Sequence, residues 1–218
     1  MKKIFILSGL AFLFLTNLSA QSFEQGTKAI ELQYEFGAYK TSSHDKVNNT
    51  TDDNNGAASK IFNASCEYGV LNWLGVGLKL QYDNYFTDPD TIHHPFPQAD
   101  EIVDPKISSF DVAAMGNVHL VRKDHFDLVF GANFGVSFFS YHVNDALDAQ
   151  ANGVGSWIDL HLTPRFYFGK HFGMHLNFGY ANFNYPNIKA KNSVQSSINA
   201  FSLKGSGGNI GIGFQYRF

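Results

Sequence analysis

Apolar and polar residues alternate with a period of two along most of the chain, which is typical of β-strands that have one apolar face. In residues 28–39 the apolar set is Ile30, Leu32, Tyr34 and Phe36, and the residues between them are Glu31, Gln33, Glu35 and Gly37. The same pattern recurs in seven further segments, residues 61–70, 74–86, 107–121, 126–141, 157–168, 174–180 and 211–218. Helical periodicity is almost absent, so the sequence predicts an all-β protein with eight strands.

The predicted connections between these strands alternate in length. Residues 71–73, 122–125 and 169–172 form tight turns, whereas residues 41–58, 87–105, 142–155 and 184–205 form long loops rich in Asn, Asp, Ser, Pro and Gly. Eight strands joined in this way make four hairpins, with both ends of the chain on the side of the short turns.

Alternation alone does not decide whether the apolar face points into a barrel or out of it. A secreted ligand-binding barrel turns that face inward, and a β-sandwich is a further alternative. The polar face carries a charge in nearly every strand, and most segments reach the roughly 9–11 residues with which a tilted strand crosses hydrocarbon. A sheet that spans a membrane must close on itself. The sequence therefore favours an eight-stranded antiparallel up-and-down transmembrane β-barrel.

The amino terminus has the organisation of a secretory signal peptide. Lys2 and Lys3 precede an apolar run that is too short for a spanning helix, and Ala20 supplies a small residue at the predicted cleavage site. The predicted organisation is a signal peptide at residues 1–20 and one barrel domain at residues 21–218. Removing residues 1–20 takes away two lysines and no acid, so 14 basic residues face 19 acidic ones, a net charge of −5. This balance gives no reason to expect nucleic acid as a partner, and the single cysteine, Cys66, excludes an internal disulfide.

Together, the leader ending in "LSAQ", the eight alternating segments and the terminal "FQYRF" resemble the small outer-membrane β-barrel family of the OmpX and OmpA transmembrane-domain type, in the form common in Bacteroidota. The resemblance covers residues 27–218. It implies the outer membrane of a Gram-negative bacterium, with outer-membrane lipids as neighbours. It also implies that Phe214, Tyr216 and Phe218 form the signal read by the barrel-insertion machinery. Unlike the longer OmpA proteins, the chain is expected to carry no peptidoglycan-binding domain after the barrel.

An eight-stranded barrel is just wide enough for its own side chains, and buried charges need partners. We therefore expect Glu67 to lie near Lys79 on the adjacent strand, and Arg217 to lie near Glu31 across the seam that closes the barrel. The full predicted lumen network is Glu31, Glu35, Glu67, Lys79, Asp111, Asp159, Arg165 and Arg217. Such a network acts as a closed charged plug; the alternative is a narrow path for ions or small solutes.

Other candidate chemistry is weaker. Asp159, His161 and Thr163 share a face, but successive members lie about 6.6 Å apart along a strand, which is too far for a direct relay. Small barrels that deacylate lipid A use His, Ser and Glu together, and no Glu follows Glu101 here. We therefore predict no enzyme activity, with a lipid A-modifying enzyme as the alternative.

Neither metal nor cofactor is predicted. His93, His94 and the acids of residues 88–104 indicate a solvated acidic loop rather than a metal site. "TDDNNG" lacks the ligands of a calcium loop, and "GSGGNIG" from Gly205 lacks the dinucleotide spacing. We expect these glycines to allow a bend or bulge where the last strand begins. The predicted function is a structural barrel that displays its long loops for contact with surfaces or partners.

Overall fold

The structure is a computed structural model that describes residues 23–86, 90–92, 101–103, 105–142, 150–190 and 200–218. The predicted signal peptide lies outside these residues and stays a prediction. The strands are β1 (Lys28–Asp45), β2 (Thr50–Leu71), β3 (Leu74–Phe86), β4 (Asp90–Ile92), β5 (Glu101–Val103), β6 (Lys106–Lys123), β7 (Phe126–His142), β8 (Gln150–Tyr167), β9 (Phe172–Ala190) and β10 (Phe201–Arg217). In this part of the chain no helix is long and apolar enough to cross a membrane.

Eight of the ten strands form one closed antiparallel barrel, in the order β1, β10, β9, β8, β7, β6, β3, β2 and back to β1. Each barrel strand pairs with the barrel strands that precede and follow it in the chain, β1 pairs with β10 to close the barrel, and β4 and β5 pair only with each other. The closing seam runs from Ala29 opposite Arg217 to Asp45 opposite Phe201. The predicted all-β, up-and-down barrel is confirmed, including the short turns and the position of both described chain ends beside them.

In the part of the barrel near the short turns, the apolar face of each barrel strand points away from the barrel axis. Leu32 and Phe36 are each 52% exposed on the outside of β1, whereas Glu35 between them is fully buried. The same division holds in β8, where Leu160 is 47% exposed and Asp159 is fully buried. The outward interpretation of the alternation is therefore correct. A secreted barrel of this kind would place the apolar residues inside.

The predicted long loops are wrong in extent, because much of their sequence is β-strand. β1 and β2 stay paired as far as Asp45 and Thr50, so residues 46–49 alone form the turn of the predicted 41–58 loop. Predicted loop residues likewise belong to the start of β8, the end of β9 and the start of β10, and the 87–105 segment contains β4 and β5. A ladder of backbone hydrogen bonds does not require apolar side chains, so the polar composition concealed these extensions.

These extensions make the barrel taller than a bilayer is thick. Eighteen residues of β1, at about 3.3 Å each and tilted by about 40°, rise roughly 45 Å, compared with about 30 Å of hydrocarbon. A row of outward polar residues marks where the apolar band ends. Lys60 lies opposite Asn84, Asn84 opposite Ser108, and Ser108 opposite Ser140. We call the part of the barrel beyond this row, away from the short turns, the outer rim.

The glycines of "GSGGNIG" do not form the expected bulge. β10 pairs in unbroken register with β9 from Leu203 to Tyr216, and the irregularity lies earlier, between Phe201 and Leu203. A Cβ at Gly205 would collide with the ring of Phe183, and one at Gly207 with the backbone of Ala38. These glycines therefore allow close packing beneath an aromatic ring and against the neighbouring strand.

A charge placed on the outer surface tests where the hydrocarbon lies. Leu80 and Asn84 occupy the same face of β3, four residues apart, with Leu80 inside the apolar band and Asn84 on the polar row. Leu80→Arg is expected to lower the free energy of unfolding in phospholipid vesicles by about 2–4 kcal/mol, and Asn84→Arg by about 0–1 kcal/mol. Urea titration followed by tryptophan fluorescence measures both. Equal costs at the two positions would contradict a membrane-embedded band.

Candidate functional site: a layered lumen

Near the short-turn end, Arg165 joins two carboxylates from distant strands. Its Nη2 lies 2.7 Å from Oε1 of Glu31 on β1, and its Nη1 lies 2.9 Å from Oε2 of Glu67 on β2. Asp127 is a third acidic neighbour at 4.0 Å. All four side chains are buried. Because Arg165 is on β8, these contacts cross the lumen and tie opposite walls together.

His119 and Phe23 complete this layer, and neither residue was predicted to belong to it. His119 Nδ1 lies 2.7 Å from Oδ2 of Asp127, and its Nε2 lies 3.0 Å from Oε1 of Glu67. The ring of Phe23, which precedes β1, stacks on the imidazole at 3.4 Å and is only 2% exposed. The chain segment before the barrel thus turns back and covers the inner end of the charged layer.

The middle layer is centred on Lys79. Its Nζ lies 3.8 Å from Oε1 of Glu35, and the same carboxylate accepts a hydrogen bond from Nδ2 of Asn63 at 2.7 Å. Asp159 accepts hydrogen bonds from Asn133 at 2.8 Å and Asn209 at 3.3 Å. Buried amides from several strands therefore supply donors where cations are scarce.

Asp159 and His161 contact each other directly, contrary to the expectation from strand spacing. His161 Nδ1 lies 3.1 Å from Oδ2 of Asp159. The two residues are two positions apart on the strand, and their side chains bend towards each other. Thr163 does not join them, since its hydroxyl donates to Oδ1 of Asn177 at 2.8 Å. The imidazole of His161 is therefore oriented by the carboxylate of Asp159, but the Thr163 hydroxyl is not placed to act as a nucleophile beside it.

Small residues on the inner face make room for these groups. A Cβ at Gly75 would collide with the carboxylate of Glu67, and one at Gly131 would collide with the ring of His161. The glycines that alternate with apolar residues in the sequence thus provide space in the lumen for long polar side chains on neighbouring strands.

Further out, two carboxylates face each other with few donors. Asp83 Oδ2 accepts from Gln81 at 2.9 Å and from the Ser109 hydroxyl at 3.2 Å, while Asp111 Oδ2 accepts from Gln81 at 3.3 Å. The Oδ1 atoms of both aspartates are buried without a hydrogen-bond partner. We call Asp83 and Asp111 the carboxylate pair.

An aromatic layer covers the carboxylate pair on the outer side. It is formed by inward-pointing side chains, which are Tyr39, Ile61, Tyr85, Phe139, Trp157, Phe183, Tyr185 and Ile188. The ring centroids of Tyr39 and Phe183 lie 5.5 Å apart, and those of Phe139 and Tyr185 lie 5.1 Å apart. The signal for this layer was present in the sequence, because all of these residues except Ile188 occupy odd positions, whereas outward apolar residues of the same strands, such as Phe36 and Tyr82, occupy even ones.

All eight predicted network residues are buried in the lumen, but their partners differ from those predicted. Glu67 contacts Arg165 and His119, while Lys79 contacts Glu35, so the predicted Glu67–Lys79 pair is wrong. In the register of β2 and β3, Lys79 lies opposite Ser65 rather than Glu67.

Arg217 and Glu31, which were predicted to lie close together, do not form an ion pair either. The guanidinium of Arg217 lies 3.6 Å above the ring of Tyr167, and Glu31 is bound by Arg165. Across the seam, Glu31 lies opposite Gln215, and Arg217 lies opposite Ala29. The aromatic side chains of the predicted insertion signal, Phe214, Tyr216 and Phe218, all point outward, and their role stays a prediction.

Acids outnumber bases among the buried side chains of the described lumen. Seven carboxylates (Glu31, Glu35, Glu67, Asp83, Asp111, Asp127 and Asp159) accompany three cations (Lys79, Arg165 and Arg217). Both arginines lie in the layer near the short turns. In the outer part, Lys79 is therefore the one cation facing Glu35, Asp159 and the carboxylate pair. The predicted plug is charged but not balanced.

The histidines of the predicted acidic loop, His93 and His94, lie outside the described residues. Among the residues that the structure does describe, no group of three or more His, Cys, Asp or Glu side chains is placed to hold a metal ion.

Comparison with solved structures finds outer-membrane β-barrels. The outer membrane protein OprG of Pseudomonas aeruginosa superposes with a TM-score of 0.58 at 11% sequence identity, over 93% of this chain and 99% of that one. The outer membrane protease OmpT of Escherichia coli gives a TM-score of 0.50 at 8% identity, over 94% of this chain and all of that one. No protein-family model and no curated protein matches the sequence. These likenesses agree with the fold expected from the OmpX and OmpA resemblance, and at these identities they show the fold alone.

The Arg165 layer makes a specific stability prediction. Removing one partner of a buried ion network leaves the others unpaired, so Arg165→Met is expected to lower the free energy of unfolding by about 3–5 kcal/mol. The triple variant Arg165→Met/Glu31→Gln/Glu67→Gln, which removes the stranded charges as well, is expected to regain much of that loss. Lys123→Met, at an exposed turn, is the control and should change stability by less than about 0.5 kcal/mol. Urea unfolding in the same vesicles measures all three. If the triple variant is less stable than Arg165→Met, unpaired carboxylates do not explain the cost.

Proposed function

We propose that the protein is a closed outer-membrane barrel that exposes its outer rim to the cell exterior for contact with surfaces or partners. The observation that carries the closed lumen is Arg165, which binds Glu31 and Glu67 across the interior at 2.7 and 2.9 Å. The aromatic layer fills the same lumen further out. Two stacked layers of different chemistry oppose the passage of both hydrated ions and apolar solutes.

The membrane location is supported by the apolar band and by the height of the strands. A continuous belt of exposed Leu, Ile, Val, Phe and Tyr side chains surrounds the barrel. A belt of this extent has no counterpart on an ordinary soluble monomer. The described part of the outer rim consists largely of paired strands, which supports contacts made on a rigid scaffold.

Conductance measurements test the closed lumen. Protein whose folding is verified by its altered migration on unboiled detergent gels is expected to give no steady current steps in planar bilayers. An inner-layer variant (Arg165→Ser/Glu31→Ser/Glu67→Ser) and an outer-layer variant (Phe139→Ala/Phe183→Ala) should each remain closed, since the other layer is intact. Steady steps from the wild-type protein would overturn the closed-lumen proposal in favour of a narrow channel.

Site-specific labelling tests which end faces outward. The native thiol, Cys66, lies on the outer surface of β2, so Cys66→Ala provides the background. Val47→Cys, in the turn between β1 and β2, should react with a membrane-impermeant maleimide on intact Gram-negative cells. Asp124→Cys, in the short turn between β6 and β7, should react only after lysis. The reverse pattern would show that the rim faces the periplasm.

A further inference from the structure

A cavity of about 430 Å³ opens beside the aromatic layer, at the level of the outer rim. Its lining includes Tyr85, Phe139, Phe183 and Tyr185, together with Ala57 and Phe86. β2 pairs with β3 as far as Ala58 opposite Phe86 and begins earlier, at Thr50. The volume lies within the range of small-molecule sites, roughly 300–1,000 Å³, and aromatic lining is typical of them.

The polar groups of this cavity present acceptors to a ligand. The hydroxyl of Ser109 donates its one proton to Asp83 at 3.2 Å, so it can only accept from Tyr85, whose oxygen lies 3.4 Å away. The Tyr85 hydroxyl proton is therefore directed towards Ser109. The lone pairs of the Tyr85 hydroxyl oxygen remain available to accept a hydrogen bond from a ligand. A donor entering the cavity would find an acceptor that is coupled through Ser109 to the carboxylate pair.

The charge around the cavity also favours a cation. None of the residues that line it is charged. Behind Tyr85 and Ser109 lies the outer part of the lumen, where carboxylates exceed cations and the Oδ1 atoms of Asp83 and Asp111 have no hydrogen-bond partner. On the outer surface, the ammonium of Lys60 lies 4.7 Å above the ring of Phe86, one of the lining residues. The cavity is thus more negative at its inner end than at its mouth.

We propose that this cavity binds small amphipathic cations, with an apolar ring or chain against Phe139 and Phe183 and a protonated amine at the hydroxyl of Tyr85. The aromatic faces attract the cation as well as the apolar body. The site lies on the outer side of the lumen layers, so binding does not require the barrel to open.

Trp157 provides a reporter for this site. It belongs to the aromatic layer and lies opposite Phe183 in the sheet. The chain has two tryptophans, so Trp73→Phe leaves Trp157 as the sole emitter. In lipid nanodiscs, phenethylammonium is expected to change Trp157 emission saturably, with empty nanodiscs correcting for partition into lipid. Neutral 2-phenylethanol should bind on the order of tenfold more weakly, and anionic 3-phenylpropanoate more weakly still.

Variants separate the shape of the site from its charge. Ala57→Phe fills the cavity and should abolish saturable binding. Ala38→Phe adds the same group to the outward face of the adjacent strand and should leave binding unchanged. Asp83→Asn/Asp111→Asn should retain binding of the alcohol and lose most of the preference for the ammonium. Equal affinity for alcohol and ammonium in the parent, an unchanged preference in the aspartate variant, or unchanged binding in Ala57→Phe would each overturn the proposal.

Discussion

Backbone amides in a sheet that crosses hydrocarbon have no water to bond, so every strand edge must find a partner. In this chain the requirement is met by the seam between β1 and β10, which pairs seventeen residues of each strand, from Ala29 with Arg217 to Asp45 with Phe201. Closure with eight strands then fixes the width of the interior. That width limits which side chains fit in the lumen. Long side chains fit only beside glycines such as Gly75 and Gly131, where a Cβ would occupy the space they need.

A narrow interior with a polar lining must satisfy its own hydrogen bonds. Arg165 and His119 meet this need near the short turns by binding Glu31, Glu67 and Asp127. In the middle, asparagine amides take over part of the role of cations around Glu35 and Asp159. At the carboxylate pair, the Oδ1 atoms of Asp83 and Asp111 have no hydrogen-bond partner. The lumen therefore changes along its axis from an ion network that contains two arginines to a region where carboxyl groups outnumber cations.

The sequence predicted the strands and their faces because period-two alternation depends only on local geometry. It did not predict the partners of the lumen charges. These partners depend on the register between neighbouring strands and on which side chains meet across the interior. Glu67 illustrates the difference: its strand and face were predicted, but its partner, Arg165, is ninety-eight residues away in sequence. The strand extensions were missed for a different reason, because composition was taken as evidence for loops where backbone pairing continues through Ser, Thr and Asn.

The aromatic layer reflects a change in what surrounds the barrel along the same strands, from hydrocarbon near the short turns to water at the outer rim. On the short-turn side of the polar row, the outside of the barrel is apolar, and even-numbered residues such as Phe36 and Tyr82 point outward. Beyond that row the outside is mostly polar, with Phe86 as an exposed exception, so burial of apolar groups is favoured inside, and odd-numbered Tyr39 and Tyr85 point inward. The register of β2 with β3 shows no irregularity between these levels, so residue choice alone makes the switch. The outer rim is thus organised like a soluble barrel, with its apolar residues inside, on top of a membrane barrel that has them outside. An apolar cavity at this level, and a charged lumen beneath it, are consequences of that single change.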